Sequence, residues 1–131
     1  MSFSWLKFII LLSAAWFIGQ TNAEPMITWD QTNIVINDRV FKLRVADTEL
    51  KRQKGLMNVT EMPLDAGMLF VFDVPGKYCM WMKNTKIPLT VAYLDKDGNF
   101  IDRYDMTPND LTAHCTSGEA KYAVEVNQGV I

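Results

Sequence analysis

The chain has 131 residues and a formal net charge of −2 at pH 7, from 13 basic and 15 acidic side chains. This balance excludes the basic surface of a nucleic-acid-binding protein, because the one basic cluster (Lys51, Arg52 and Lys54) is too short to form one. The length allows one domain with a single modest core, and it is too short for two.

The amino-terminal segment is predicted to be a signal peptide rather than part of the fold. An apolar run over residues 8–18 follows a single lysine, and small residues at 21–23 suit a signal peptidase. The run is about half of the roughly 20 residues that a membrane-spanning helix needs, which disfavours an uncleaved anchor. We therefore expect a signal peptide over residues 1–23, cleaved after Ala23, and one exported β-rich domain over residues 24–131, with no membrane association after cleavage.

The first predicted element of the mature chain is a β-hairpin. Apolar and polar residues alternate over residues 41–45, which is the period of a half-buried strand, and an apolar segment at 33–36 precedes it. Asn37 and Asp38 lie between the two segments and suit a tight hairpin turn.

One short helix is predicted near residues 48–54. Asp47 or Thr48 can cap its first turn, where Glu49 also complements the helix dipole, and three basic side chains lie toward its end. Gly55 stands where a residue of left-handed conformation would close the helix.

The rest of the chain is predicted to form strands. A continuous apolar run over residues 67–72 predicts a strand that is buried on both faces. A turn is predicted at residues 73–76 and a loop over residues 106–118. Further strands are predicted over residues 78–83, 89–94, 100–104 and 121–126. Six to seven short strands with one helix predict a small β-sandwich or barrel-like domain.

Two cysteines, Cys79 and Cys115, belong to the predicted exported domain. An even number of cysteines in an oxidising compartment favours a disulfide between them, and the chain-entropy model gives it roughly 4 kcal/mol of stabilisation. The alternative is a pair of free thiols that bind a metal or act as a nucleophile.

The methionines suggest a copper site. Thioether sulfur is a soft ligand that suits Cu(I). The candidate ligands are Met80 and Met82, with Met57, Met68 and His114 as further members. The competing interpretation is that these methionines fill gaps in a small core and pack their sulfur against aromatic rings, and this interpretation is favoured.

Evidence for an enzyme is weaker. His114 beside Cys115 suggests an activated thiol, but catalytic partners are seldom neighbours in sequence, and a disulfide would remove the thiol. Four carboxylates surround a predicted hairpin, and they are interpreted as solvated turn and edge residues: Asp95, Asp97, Asp102 and Asp105. No catalytic residue and no cofactor are predicted.

The polar pair Asn84 and Thr85 follows Trp81 closely. An amide and a hydroxyl beside an indole ring could face a ligand. Asn and Thr also commonly bond the backbone of turns, and the favoured interpretation is a turn before Pro88.

Three blocks of the sequence resemble the family called domain of unknown function 192. The blocks are Gly55-Leu56-Met57, Gly67-Met68-Leu69-Phe70, and Trp81-Met82-Lys83-Asn84-Thr85 with the Ile87-Pro88-Leu89 that follows. The segment 122–126 looks like a later signature of the family. Cys79 paired with His114-Cys115 resembles an exported proteobacterial branch, which implies a periplasmic location. The family has no established activity, and the resemblance implies a compact, mostly β domain.

The chain departs from the usual pattern of that family at two polar positions. The family usually has an arginine where this chain has Val59, and an acidic residue where it has Thr90. An ion pair between those two positions is therefore impossible here.

Together these features predict a periplasmic, non-enzymatic binding or accessory module, whose partner is an unidentified small ligand or protein. A Cu(I)-binding protein is the second hypothesis, and an uncharacterised enzyme is the third.

Overall fold

The structure is a computed structural model that describes residues 26–131. Its eight strands and one short helix confirm the predicted mostly β fold. In chain order the elements are β1 Gln31–Ile36, β2 Arg39–Ala46, α1 Glu49–Lys54, β3 Ala66–Gly76, β4 Cys79–Met80, β5 Leu89–Leu94, β6 Phe100–Met106, β7 His114–Cys115 and β8 Ala120–Asn127. The predicted signal peptide and its cleavage site after Ala23 lie outside the described residues. Among residues 26–131, no helix combines the length and the hydropathy that a membrane span requires.

Six strands form one sheet in the order β1-β2-β3-β8-β5-β6. All neighbours are antiparallel except β2 and β3, which are parallel and are connected through α1. β8 lies in the centre and joins the β1–β3 half of the sheet to the β5–β6 half. Within residues 26–131, β1 and β6 remain as edges, so the sheet does not close into a barrel.

The local signals of the first hairpin and the helix are confirmed. Asn37 and Asp38 have φ values of 50° and 64°, as a two-residue hairpin turn of the right twist requires. The Thr48 hydroxyl accepts a hydrogen bond from the Lys51 amide at 3.2 Å and caps α1. Gly55 closes the helix with φ 48°, and its amide donates to the Lys51 carbonyl at 2.9 Å.

Three local predictions are wrong in detail. The predicted turn at residues 73–76 is the end of β3, which continues to Gly76 past a register shift after Val71. The strand predicted over residues 78–83 is only Cys79–Met80, because the Met82 amide leaves the ladder to bond the Asp110 carbonyl at 2.9 Å. The predicted loop over residues 106–118 contains β7, whose two residues are too few to show a period.

The main sheet has two different faces. The covered face carries Met68, Phe70, Leu89, Val91 and Tyr93, and the segments after α1 and around β4 pack over it, through residues that include Leu56, Met82 and Ile87. The open face carries a smaller cluster of buried residues: Phe41, Leu43, Val124 and Val126. Alternation along β8 therefore sends Val124 and Val126 to one face, and Ala123 and Glu125 to the other.

The short strands β4 and β7 form a ribbon on the covered face, joined by the predicted disulfide. Cys79 and Cys115 lie directly opposite each other, and the disulfide bond between them is confirmed. The hydroxyl of Tyr93 donates to the His114 carbonyl at 2.7 Å, and that of Tyr104 donates to the Cys115 carbonyl at 2.6 Å. The ribbon is thus held both by a covalent bond and by two tyrosines of the main sheet.

Candidate functional site

The sequence blocks meet at one pocket on the covered face, with a volume of about 120 Å³. We call it the motif pocket. Its lining comes from four separate segments of the chain: residues 52–57 (which include Arg52, Lys54 and Met57), Phe70, residues 79–81 with Thr85, and Glu125. Residues more than sixty positions apart in sequence therefore share one small cavity.

The end of α1 forms one wall of the motif pocket. Gly55 turns the chain so that Leu56 is buried and Met57 faces the pocket. A Cβ atom at Gly55 would lie 3.5 Å from the Phe70 ring, so the turn packs directly on that ring. The guanidinium of Arg52 donates to the Val71 carbonyl at 2.8 Å and lies 3.4 Å from Asp73, which ties α1 to β3.

Among residues 26–131, Glu125 is the only acidic residue that lines the pocket, and it lies on the central strand β8. Met68 of β3 and Val91 of β5 are its direct neighbours, and the residue is only 5 % exposed. Its carboxyl group takes part in none of the side-chain hydrogen bonds or ion pairs found among residues 26–131. Burial therefore raises the pKa of Glu125 from 4.5 to about 8, and no partner offsets the cost.

A second buried ionisable group stands near Glu125 on the same face. Tyr93 is fully buried, and burial raises the pKa of its hydroxyl, with the nearby Glu125 adding to the effect. Its hydroxyl still donates to the His114 carbonyl, so Tyr93 is a satisfied group that supports the ribbon. Glu125 has no comparable structural role.

Of the three residues predicted to face a ligand, Trp81 and Thr85 line the motif pocket and Asn84 does not. Trp81 is half-exposed and lines the pocket, and the Lys83 ammonium lies 5.4 Å from the centre of its ring. Thr85 also lines the pocket, but it is buried and its hydroxyl donates to the Lys83 carbonyl at 3.1 Å. Asn84 is exposed with φ 53°, and its carbonyl accepts from the Asn58 amide at 2.9 Å. Asn84 thus shapes a turn outside the pocket.

The five candidate metal ligands are also separated. Met57 and Met80 line the motif pocket, whereas Met68 and Met82 have no exposed surface and pack in the core. His114 lies directly opposite Met80 on the ribbon, and its Nδ1 atom is buried without a hydrogen-bond partner. No group of three or more histidine, cysteine or acidic residues within residues 26–131 is arranged to hold a metal ion.

The features that suggested an enzyme have structural roles. Cys115 is bonded to Cys79, so it offers no thiol nucleophile. Asp95 accepts the amides of Asp97 and Asn99 at 2.9 Å, and Asp102 accepts the Ser117 amide at 2.6 Å.

These hydrogen bonds lower the pKa of both carboxyl groups. Asp105 accepts the Thr90 hydroxyl at 2.7 Å. The carboxylates of Asp95, Asp102 and Asp105 therefore organise turns and strand edges, as the sequence interpretation had it.

A larger cavity lies on the open face, with a volume of about 620 Å³. Its lining is mainly apolar and includes Ile34, Leu69, Leu94 and Val124, and Arg103 is the one charged side chain that the described residues contribute. Sequence analysis did not find this groove, because it forms where the curved sheet brings both edge strands around the same space.

The fold and the site are those of a small β domain with one disulfide bond and a pocket that contains a buried acid. The chain belongs to the domain of unknown function 192 (DUF192) family, whose model, described as "Uncharacterized ACR", matches residues 32–131. The resemblance found in the sequence blocks is thereby confirmed.

Two solved structures are similar to the chain. One is a protein of unknown function from Novosphingobium aromaticivorans, with 26% identity, 82% of this chain and 84% of that chain covered, and a TM-score of 0.72. The other is described as a "putative transcription regulator" from Sinorhizobium meliloti, with 28% identity, 81% and 87% coverage, and a TM-score of 0.71. No curated protein matches the chain.

Glu125 is the site residue that sequence reasoning missed. In the segment 121–126 its alternation with Val124 and Val126 is typical of a solvent-facing position on an edge strand. The available signal was Ala123, an apolar residue on the same side of the strand. An apolar neighbour on that side fits a strand that is buried on both faces, as a central strand is.

Proposed function

We propose that this chain is an exported, periplasmic, non-enzymatic binding module that holds a small ligand in the motif pocket. The observation that carries the proposal is the buried carboxyl group of Glu125, which has no hydrogen-bond or ion-pair partner among residues 26–131 and lines a pocket built by the three family blocks. Buried polar groups in folded proteins are nearly always paired, so one that faces a cavity without a partner favours a ligand as the partner.

Export is supported by two independent features. The amino-terminal pattern over residues 8–23 is typical of a cleaved signal peptide. The disulfide between Cys79 and Cys115 is of the kind that persists in oxidising compartments such as the periplasm.

A binding role is favoured over catalysis because the pocket lacks the parts of a catalytic site. Among the described residues that line it, Glu125 is the one acid, the Arg52 guanidinium is bonded to β3, the Thr85 hydroxyl donates to a backbone carbonyl, and Cys79 is in the disulfide.

The test is native mass spectrometry of the full chain isolated from the periplasm. We expect a mass that begins at Glu24 together with a bound small molecule. Met57→Trp, which fills the pocket, should abolish the bound mass, whereas Val35→Trp at the exposed rim of the open-face groove should retain it. A ligand-free wild-type protein, or a ligand that survives Met57→Trp, would contradict the proposal.

A second candidate function is Cu(I) binding, favoured by one specific observation. Met57 and Met80 line the same pocket beside Trp81, so two soft sulfur ligands are available within it. Titration with Ag(I), a redox-inert substitute for Cu(I), would then show one equivalent bound. That binding should be lost in the Met57→Leu/Met80→Leu variant and kept in the Met82→Leu control, because Met82 is a core residue.

A further inference from the structure

The floor of the motif pocket has an acidic group without a counter-charge. Glu125 is held between Met68 and Val91 by the strand register, so its carboxyl group cannot leave the covered face without breaking the sheet. A buried carboxylate is stabilised by an opposite charge and by hydrogen-bond donors, and among residues 26–131 neither offsets the burial of Glu125, although Arg52 and Lys54 line the same pocket. A ligand that carries positive charge would supply both.

The walls of the pocket suit the body of such a ligand. Phe70, Met57 and Met80 present aromatic and thioether surface, and the Trp81 ring is half-exposed at the opening. Indole faces attract ammonium groups, and here the Lys83 ammonium already lies 5.4 Å from the Trp81 ring centre. The chain's own lysine thus occupies one side of a ring that could receive an external cation.

The two basic side chains that line the pocket, Arg52 and Lys54, do not make it an anion-binding site. Arg52 is committed to the Val71 carbonyl and Asp73. Lys54 lines the same pocket as Glu125, so an anion bound there would also meet the carboxyl group of Glu125. The size is also informative: about 120 Å³ is below the roughly 300–1,000 Å³ of drug-sized pockets and suits a single head group.

We propose that the motif pocket binds a small organic cation of the alkylammonium class, with Glu125 as its counter-ion and Trp81 as its aromatic wall. This inference rests on the proposed binding function and names the ligand class for the same site. Lys83 is an internal competitor for the Trp81 ring.

Binding of such a cation is coupled to release of a proton. Free Glu125 holds its proton up to about pH 8, and the bound cation favours the carboxylate. Affinity should therefore weaken about tenfold per pH unit below about pH 8 and level off above it. Arg52 and Lys54 at the rim and Tyr93 of β5 are the other charged or titratable groups near Glu125, and the raised pKa of Tyr93 keeps its hydroxyl protonated across this range.

The test is an NMR titration of the full mature chain with choline at millimolar concentration. Dimethylbutanol, in which carbon replaces the choline nitrogen, is the uncharged control, and acetate is the anionic one. We expect shifts at Met80, Trp81 and Glu125 with choline alone, and release of a proton measured by calorimetry in two buffers.

Variants assign the effect to named residues. Glu125→Gln should weaken choline binding by at least about tenfold and remove its pH dependence, whereas Glu119→Gln on the exposed surface should change neither. Trp81→Ala should weaken it about threefold or more, and Lys83→Met should strengthen it by freeing the ring.

The outcomes separate this inference from the proposed function. Absence of choline binding, equal binding of dimethylbutanol, or preferred binding of acetate would each overturn the cation assignment. If a non-cationic molecule is then recovered from the periplasmic protein and lost in Met57→Trp, the binding function stands without the cation. A ligand-free periplasmic protein overturns the binding function itself.

Discussion

The two faces of the main sheet are built by the same strands, yet they differ in chemistry. The open face has the larger cavity, about 620 Å³, and it is lined mainly by apolar side chains. The covered face has a cavity of about 120 Å³, but Glu125 stands at its floor and the three sequence blocks surround it. If cavity size were the only criterion, the open face would be the candidate binding site. An unpaired ionisable group within a specific set of residues is the stronger indication of function.

The largest effect on stability is expected from the disulfide that joins the β4–β7 ribbon on the covered face. Replacing both Cys79 and Cys115 by alanine should lower the free energy of unfolding by about 4 kcal/mol, because the bond closes a loop with a sequence separation of 36. Denaturant unfolding measures the total. Hydrogen exchange should show the greatest loss of protection in the β4–β7 ribbon. An equal loss in β1 and β2 would show that the disulfide does not stabilise the covered face in particular.

The open face should be sensitive to a single added methyl group. A Cβ atom at Gly67 would lie 2.2 Å from the Glu125 carbonyl oxygen and 3.0 Å from both Leu43 and Val126. Gly67→Ala should therefore cost about 3 kcal/mol in thermal or denaturant unfolding, because a backbone atom must move.

Gly129→Ala is the matched control, since nothing lies within 4 Å of its Cβ position and only its φ of 87° is unfavourable. Its cost should be about 1 kcal/mol. Equal costs at Gly67 and Gly129 would contradict the close approach of β3 and β8.

The covered face should make stability depend on pH through Glu125. Its pKa is raised on folding, so the folded state favours the protonated form. The stabilisation is complete below about pH 4.5 and is lost as the pH rises to about 8. Between about pH 5 and about pH 8, the wild type should lose about 3 kcal/mol relative to Glu125→Gln.

Denaturant midpoints of both proteins across this range measure the difference. The pKa values of Asp95 and Asp102 are lowered by hydrogen bonds, so these two groups stabilise the folded state when they are ionised. Their stabilisation is lost as the pH falls, under more acidic conditions than the range tested for Glu125. Parallel pH profiles for the wild type and Glu125→Gln would show that the carboxyl group is not buried in isolation.

The smallest stability effect is expected at Trp81. Because the ring is half-exposed, Trp81→Ala should change the free energy of unfolding by less than about 1 kcal/mol. Phe41→Ala, at a fully buried position on the open face, should cost about 3–5 kcal/mol in the same measurement. A large cost at Trp81 would indicate that the ring is a core residue and not the wall of an open pocket.

The sequence predicted those parts of the fold that depend on near neighbours. The turn at Asn37 and Asp38, the cap at Thr48 and the closing Gly55 each depend on contacts within a few residues, and each was found. The disulfide was predicted from compartment chemistry rather than geometry, and it is present.

The predictions that were wrong concern residues whose partners lie far along the chain. Gly76 stays in β3 because it pairs with Ala120, and β7 exists because Cys115 pairs with Cys79. The burial of Glu125 follows from the insertion of β8 between β3 and β5, which the local pattern indicates only through Ala123. Met57 and Met80, named from the sequence as candidate metal ligands, and Trp81 and Thr85, named as candidate ligand contacts, line this pocket, whereas Glu125 was not named.

The position of β8 also bears on the order of events during synthesis. This strand is the last one in the described part of the chain, yet it is the only connection between the two halves of the main sheet. Before β8 is available, the β1–β3 part and the β5–β6 part of the sheet have no common partner. The two parts can join only through contacts between residues far apart in sequence. The complete six-stranded sheet can thus form only when β8 pairs with β3 on one side and with β5 on the other.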